Sequence, residues 1–109
     1  MSYNVHLTRA GSWTESESQP IALEEAKAYF AEQPDFEYSA TFSVNGPFGT
    51  MTIGGEFFLW SPEEEELIPF KYTDGRITVS GADEYVIDRM KEIAAKLSAI
   101  VQGDEGEQY

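Results

Sequence analysis

The chain has 109 residues, no cysteine and a formal net charge of −13, from 20 acidic and seven basic side chains. Without thiols, disulfides, thiolate zinc sites and cysteine nucleophiles are excluded, and a field of this sign repels nucleic acids and anionic membranes. An aromatic fraction of 14% is enough for a packed interior, so we expect one folded domain over residues 1–109.

The first third of the chain predicts a strand, a loop and a short helix. Residues 3–8 alternate between apolar and polar side chains, which is typical of a half-buried strand. Residues 11–20 are rich in serine and glutamate without a period, so they predict a loop that Trp13 holds against the body. An amphipathic pattern over residues 23–30 predicts a helix, which ends before Pro34.

Two long strands follow. Residues 36–44 alternate over nine positions, as expected for an antiparallel sheet with one solvated face. A turn at residues 45–49 leads into a second strand over residues 51–60, with a bulge at Gly54-Gly55. The residues of the first strand expected to face the core are Phe36, Tyr38, Ala40, Phe42 and Val44.

The dipeptide Asp74-Gly75 lies between two apolar runs and predicts a tight β-hairpin. A two-residue loop sets the register of the two strands, which agrees with their apolar alternation. The expected cross-strand pairs are Tyr72 with Ile77 and Phe70 with Val79.

The longest helix is expected after the segment Ser80 to Asp83, with an apolar stripe that reaches Leu97. Ser80 followed by Asp83 is similar to a capping box, and an apolar stripe follows at helical spacing. The stripe consists of Val86, Ile87, Met90, Ile93, Ala94 and Leu97. A short strand over residues 99–102 then completes the order β-α-β-β-β-β-α-β. The pattern predicts a two-layer α+β fold in which two helices cover an antiparallel sheet of about five strands.

The C-terminal segment resembles a recurring tail in a group of small bacterial proteins of unknown function. That tail reads V-Q-G-D-[DE]-G-E-x-Y, and residues 101–109 match it as VQGDEGEQY. Residues 3–9, 21–25 and 74–77 are similar to the corresponding parts of the same group. The resemblance implies a bacterial origin and one architecture over most of the chain, and it implies no reaction.

The sequence lacks motifs for catalysis and for cofactor binding. His6 is the only histidine, and its place on the polar face of the first strand predicts an ordinary surface residue. No serine lies in a G-x-S-x-G elbow, and the glycines match no phosphate-binding loop. The acidic runs at residues 63–66 and 104–107 predict solvated turns, because neither has the spacing of a calcium loop. We therefore expect no catalytic residue, cofactor or metal.

The candidate protein-binding residues lie at the end of the second long strand. If one face of this strand covers the core, Phe58 and Trp60 point the other way, beside the glutamate run. Either a second helix packs on them there or they form an exposed patch. An exposed aromatic patch beside acids would suit a basic partner, because aromatics anchor interfaces and charges select partners. The predicted docking surface consists of Phe58, Trp60, Glu63, Glu64, Glu65 and Glu66.

Two classes of function remain open from the sequence. The leading hypothesis is a non-catalytic, acidic binding or inhibitor protein that docks on a basic protein, by compositional analogy to bacterial immunity proteins. The alternative is a housekeeping domain for a small ligand or divalent cation, or a weak hydrolase with a non-standard site. The N-terminus has no basic segment followed by an apolar one, and no apolar run approaches roughly 20 residues, so a cytoplasmic location is expected.

Overall fold

The computed structural model describes residues 3–63 and 67–109. Its β-strands, in chain order, are β1 (Asn4–Thr8), β2 (Phe36–Gly46), β3 (Gly49–Trp60), β4 (Ile68–Thr73), β5 (Arg76–Ser80) and β6 (Ile100–Gly103). Its α-helices are α1 (Leu23–Ala31) and α2 (Glu84–Leu97), and a 3-10 turn covers Trp13–Glu15.

The strands form one sheet in the order β2-β3-β4-β5-β1-β6, and every neighbouring pair is antiparallel. The predicted α+β class is confirmed. The sheet contains six strands because the short C-terminal segment pairs along β1, with Leu7 opposite Val101. The first and last strands of the chain are therefore neighbours, which places the N-terminal and C-terminal segments side by side.

The hydrophobic core lies between one face of the sheet and the two helices. The predicted stripe of α2 is confirmed, with Met90 and Ile93 fully buried and Ile87 partly so. From α1, Phe30 stacks on Phe58 of β3 at a centroid distance of 4.3 Å. Helix α2 is capped by Asp83, whose carboxylate accepts a hydrogen bond from the Val86 N–H at 3.0 Å. The predicted capping role of Ser80 is wrong, because Ser80 ends β5 and its hydroxyl donates to Oδ1 of Asn4.

The β4–β5 hairpin has the predicted turn and register. Asp74 and Gly75 both have positive φ angles, 50° and 79°, as a type I′ turn requires. Tyr72 pairs with Ile77 as expected. Glycine is needed at position 75 for a second reason, because a Cβ there would lie 2.5 Å from the Cβ of Pro20.

The β2–β3 hairpin is longer than the layer of helices that covers its base. Ser39 pairs with Phe57 and Thr41 with Gly54, so two residues of β3 lie opposite one of β2, which confirms the predicted bulge. The expected core face of β2 is only partly correct: Phe36 is buried, whereas Tyr38 and Val44 are exposed. We call residues 38–55 the arm, and no residue in it is buried.

Candidate functional site

Of the two alternatives for Phe58 and Trp60, the structure has the one in which a helix packs on the rings, and the exposed patch is wrong. Their side chains are 0% and 4% exposed and belong to the core. Trp60 pairs with Phe36, which faces the helices, and its Nε1–H donates to Oδ2 of Asp35 at 2.8 Å. The physical reason is the bulge in β3, since one extra residue inverts the alternation of a strand and exchanges its two faces.

The rest of the predicted docking surface loses its aromatic anchor. Glu63 is exposed, as expected for a solvated turn. Glu64, Glu65 and Glu66 lie outside the described residues. With both rings in the core, neither aromatic residue of the predicted surface is exposed.

Exposed apolar side chains concentrate instead on the arm. Phe48, at the turn between β2 and β3, is fully exposed, and Met51 is 67% exposed. Together with Val44 they line an open depression of about 470 Å³. Ile53, further along β3, adds to the same exposed apolar set. Soluble monomers seldom present clustered apolar side chains in this way, and such clusters mark interaction sites.

The arm also differs from the rest of the chain in its content of charged residues. Residues 38–55 contain no Asp, Glu, Lys, Arg or His, although a quarter of the chain is charged. Acids bound the segment on both strands, at Glu37 and Glu56. The Tyr38 hydroxyl donates to the Glu56 carboxylate, which keeps this acid at the base of the arm. The base of the uncharged arm thus carries both signs of charge, because Lys27 Nζ also lies there, 4.7 Å from the centroid of the Tyr38 ring.

The two edge strands of the sheet differ in whether another segment of the chain pairs with their outer side. Along the β6 edge, Gln102 forms an antiparallel bridge with Gln108, and the Tyr109 N–H donates to the Val101 carbonyl at 2.9 Å. At the opposite edge, β2 pairs with β3 on one side, and no strand of the described chain lies on its other side. An edge strand of this kind leaves half of its backbone groups available for pairing.

The opposite face of the sheet carries a buried polar cluster around His6. The prediction that His6 is a surface residue is wrong, since it is only 2% exposed. Its Nδ1 lies 2.9 Å from Oγ1 of Thr78, and its Nε2 lies 2.7 Å from Oδ1 of Asp104. Trp13 of the N-terminal loop stacks on the ring at a centroid distance of 4.1 Å. The indole therefore covers the imidazole and separates it from solvent.

The electrostatics of the cluster favour a neutral His6. Burial lowers the pKa of His6 below its ordinary value, although the hydrogen bond to Asp104 acts in the opposite direction. Burial raises the pKa of Asp104, but hydrogen bonds from the Asn4 N–H and from His6 outweigh it and the net shift is downward. A neutral ring that donates through Nε2 and accepts through Nδ1 satisfies both partners. Covered by Trp13, the ring links β1 to Thr78 of β5 and to Asp104 of the C-terminal segment.

The C-terminal residues 101–109 supply much of this cluster. The Gln102 amide accepts from the Trp13 N–H at 2.8 Å and donates to the Gly11 carbonyl at 3.2 Å. Tyr3 is held at the same place, where a hydrogen bond to Glu107 raises its pKa to about 12. The tail thus fastens the N-terminal strand and loop. Sequence reasoning missed this role, although the register of His6 opposite Gln102 follows once β6 is placed beside β1.

Three further observations concern metal binding, membrane-spanning helices and similarity to known proteins. Within residues 3–63 and 67–109, no group of three or more His, Cys, Asp or Glu side chains is arranged to hold a metal ion. No helix in this part of the chain is both long and apolar enough to cross a membrane. No family model matches the chain, and neither a curated protein nor a solved structure matches it at a significant level.

Proposed function

We propose that the protein is a non-catalytic, acidic binding or inhibitor protein that docks on a basic protein partner through its arm. The observation that carries the proposal is the uncharged arm, with Phe48 fully exposed, on a chain with a net charge of −13. This docking surface replaces the one predicted around Phe58 and Trp60. As the sequence suggested, the role is immunity-like and the location cytoplasmic.

The arm and the acidic body have separate tasks in this proposal. Burying a phenylalanine side chain is worth about 1.5–3 kcal/mol, so Phe48 and Met51 supply the affinity. The negative field attracts a basic partner and speeds the encounter, and this contribution is weakened by salt. Charge thus selects the partner and controls the association rate, whereas the apolar tip controls the lifetime of the complex.

The test compares the wild-type chain with Phe48→Ser as bait in a lysate of the source organism. Leu67→Ser is the matched control, because Leu67 is an exposed apolar residue outside the arm. We expect one basic protein to be enriched by the wild-type and Leu67→Ser baits and lost with Phe48→Ser. With both proteins purified, Phe48→Ser should raise the dissociation rate roughly tenfold or more.

The association rate provides the second measurement. It should fall steeply as sodium chloride is added, to the same extent for the wild-type chain and for Phe48→Ser. If the captured protein is acidic, or if Phe48→Ser and Leu67→Ser bind it as the wild type does, the proposal is wrong.

A further inference from the structure

We propose that the partner binds by adding an extended strand to the open edge of β2, so that the sheet continues into the partner. This inference rests on the proposed function, and it specifies the mode of recognition. β-Strand addition uses the backbone groups of an exposed edge for affinity and alternate side chains for specificity. The relevant surface is the outer edge of Phe36–Gly46, next to the apolar tip.

The contrast between the two edges supports the inference. The β6 edge is occupied by the chain's own residues 107–109, which bond to Val101 and bridge Gln102. Strand β2 has no such cover among the residues that the structure describes. The same sheet thus closes one edge with a dedicated segment and leaves the other available.

The open edge also lacks the features that normally prevent edge pairing. Protected edges are short, or carry charges, prolines or bulges. Strand β2 is 11 residues long, contains no proline, and has Glu37 as its only charged residue. The extra residue of the bulge belongs to β3, since Ser39 pairs with Phe57 and Thr41 with Gly54. Strand β2 is therefore a long template with one local irregularity at Thr41, whose N–H donates to the Ser39 hydroxyl and whose carbonyl accepts from it.

Charge decides between a partner strand and a second copy of this chain. Two copies would each bring a net charge of −13, and their repulsion opposes edge-to-edge pairing. A basic strand gains from the same field and meets two acids, Glu37 and Glu56, against one lysine, Lys27, at the base of the arm. We therefore assign the edge to an extended, basic segment of a different protein.

The test uses a synthetic peptide of roughly ten residues that alternates lysine and valine, because it is extended, basic and close to β2 in length. The ¹⁵N-labelled chain is titrated with this peptide, and amide hydrogen exchange is measured residue by residue. We expect chemical-shift changes to centre on β2 and the outward amides of β2 to exchange roughly tenfold more slowly. In the free protein the same amides should exchange rapidly.

A second peptide, in which proline replaces every valine, is the control, because it keeps the charge and removes half of the backbone donors. Equal binding of both peptides, with shifts spread over the acidic surface, would show electrostatic attraction only and would overturn the inference. So would the absence of binding, or protection of β2 in the free protein at neutral pH, which would indicate a second copy. None of these outcomes depends on Phe48→Ser, so the proposed function stands or falls separately.

Discussion

At the scale of single residues, His6 shows that a side chain on the polar face of a strand can still be buried. Its side chain lies on the face opposite the helices, opposite Gln102 of β6. That face is polar, yet Trp13 covers it and the ring is buried. A buried imidazole is stable here because Thr78 and Asp104 satisfy both of its nitrogens.

This burial makes folding stability depend on pH. The pKa of His6 is lowered in the folded protein, so the unfolded chain, in which it titrates near 6.5, takes up the proton first as pH falls. Stability from the neutral ring is fully present above about pH 6.5 and is lost as pH falls through the folded pKa. The nearest charged groups, Asp104 and Arg76, act on the ring in opposite directions.

His6→Gln tests this reasoning, because glutamine keeps a hydrogen-bonding group at the site and removes the titration. The variant should be less stable than the wild type at about pH 7.5, and the difference should shrink towards about pH 5. Chemical denaturation at several pH values measures the two unfolding free energies. A constant difference across this range would mean that His6 titrates alike in both states.

Residue orientation was predicted well only where alternation was uninterrupted. The alternation of residues 3–8 correctly put Val5 and Leu7 in the core. Alternation that is extended past Gly54-Gly55 assigns Phe58 and Trp60 to the wrong face, because the extra residue there exchanges the two faces of the strand. The bulge itself was predicted from the glycines, but its effect on orientation depends on which strand holds the extra residue. The pairing of β3 with β2 decides which strand holds the extra residue, and the sequence pattern of one strand does not show that pairing.

At the scale of elements, local chemistry predicted the β4–β5 hairpin in detail and the buried stripe of helix α2, but it placed the cap of α2 at the wrong residue. Asp74-Gly75 allows the positive φ angles of its turn, and the turn sets the register. The sequence pattern did not reveal that the arm extends past the helices. Its alternation is that of a strand with a buried face, and the missing cover is a property of the lengths of α1 and α2.

Helix α2 is expected to carry a large part of the stability through its buried stripe. Leu97 is only 3% exposed at the end of the helix, so Leu97→Ala should reduce the unfolding free energy by about 2–5 kcal/mol. The control is Leu67→Ala, at an exposed position, which should change it by no more than about 0.5 kcal/mol. Urea denaturation compares the two. Equal midpoints would place the end of α2 in water.

At the scale of the whole molecule, the net charge of the body compensates for the lack of charge in the arm. The arm presents a long open edge and exposed apolar side chains, a combination that favours edge-to-edge aggregation. The body carries a net charge of −13, which repels other copies at neutral pH. We expect this repulsion to protect the outer edge of β2, which no strand of the described chain covers.

This dependence predicts self-association where the net charge vanishes, near the sequence isoelectric point of about 4.2. Light scattering should rise as pH is lowered towards that value, under conditions where circular dichroism still reports the folded state. Val44→Lys places a charge on the edge strand and should suppress the rise, because a charged edge resists pairing. Leu67→Lys adds the same charge elsewhere, at a residue 51% exposed against 45% for Val44, and should leave the rise almost unchanged. Equal suppression by both variants would show that the total charge, and not the edge of β2, decides association.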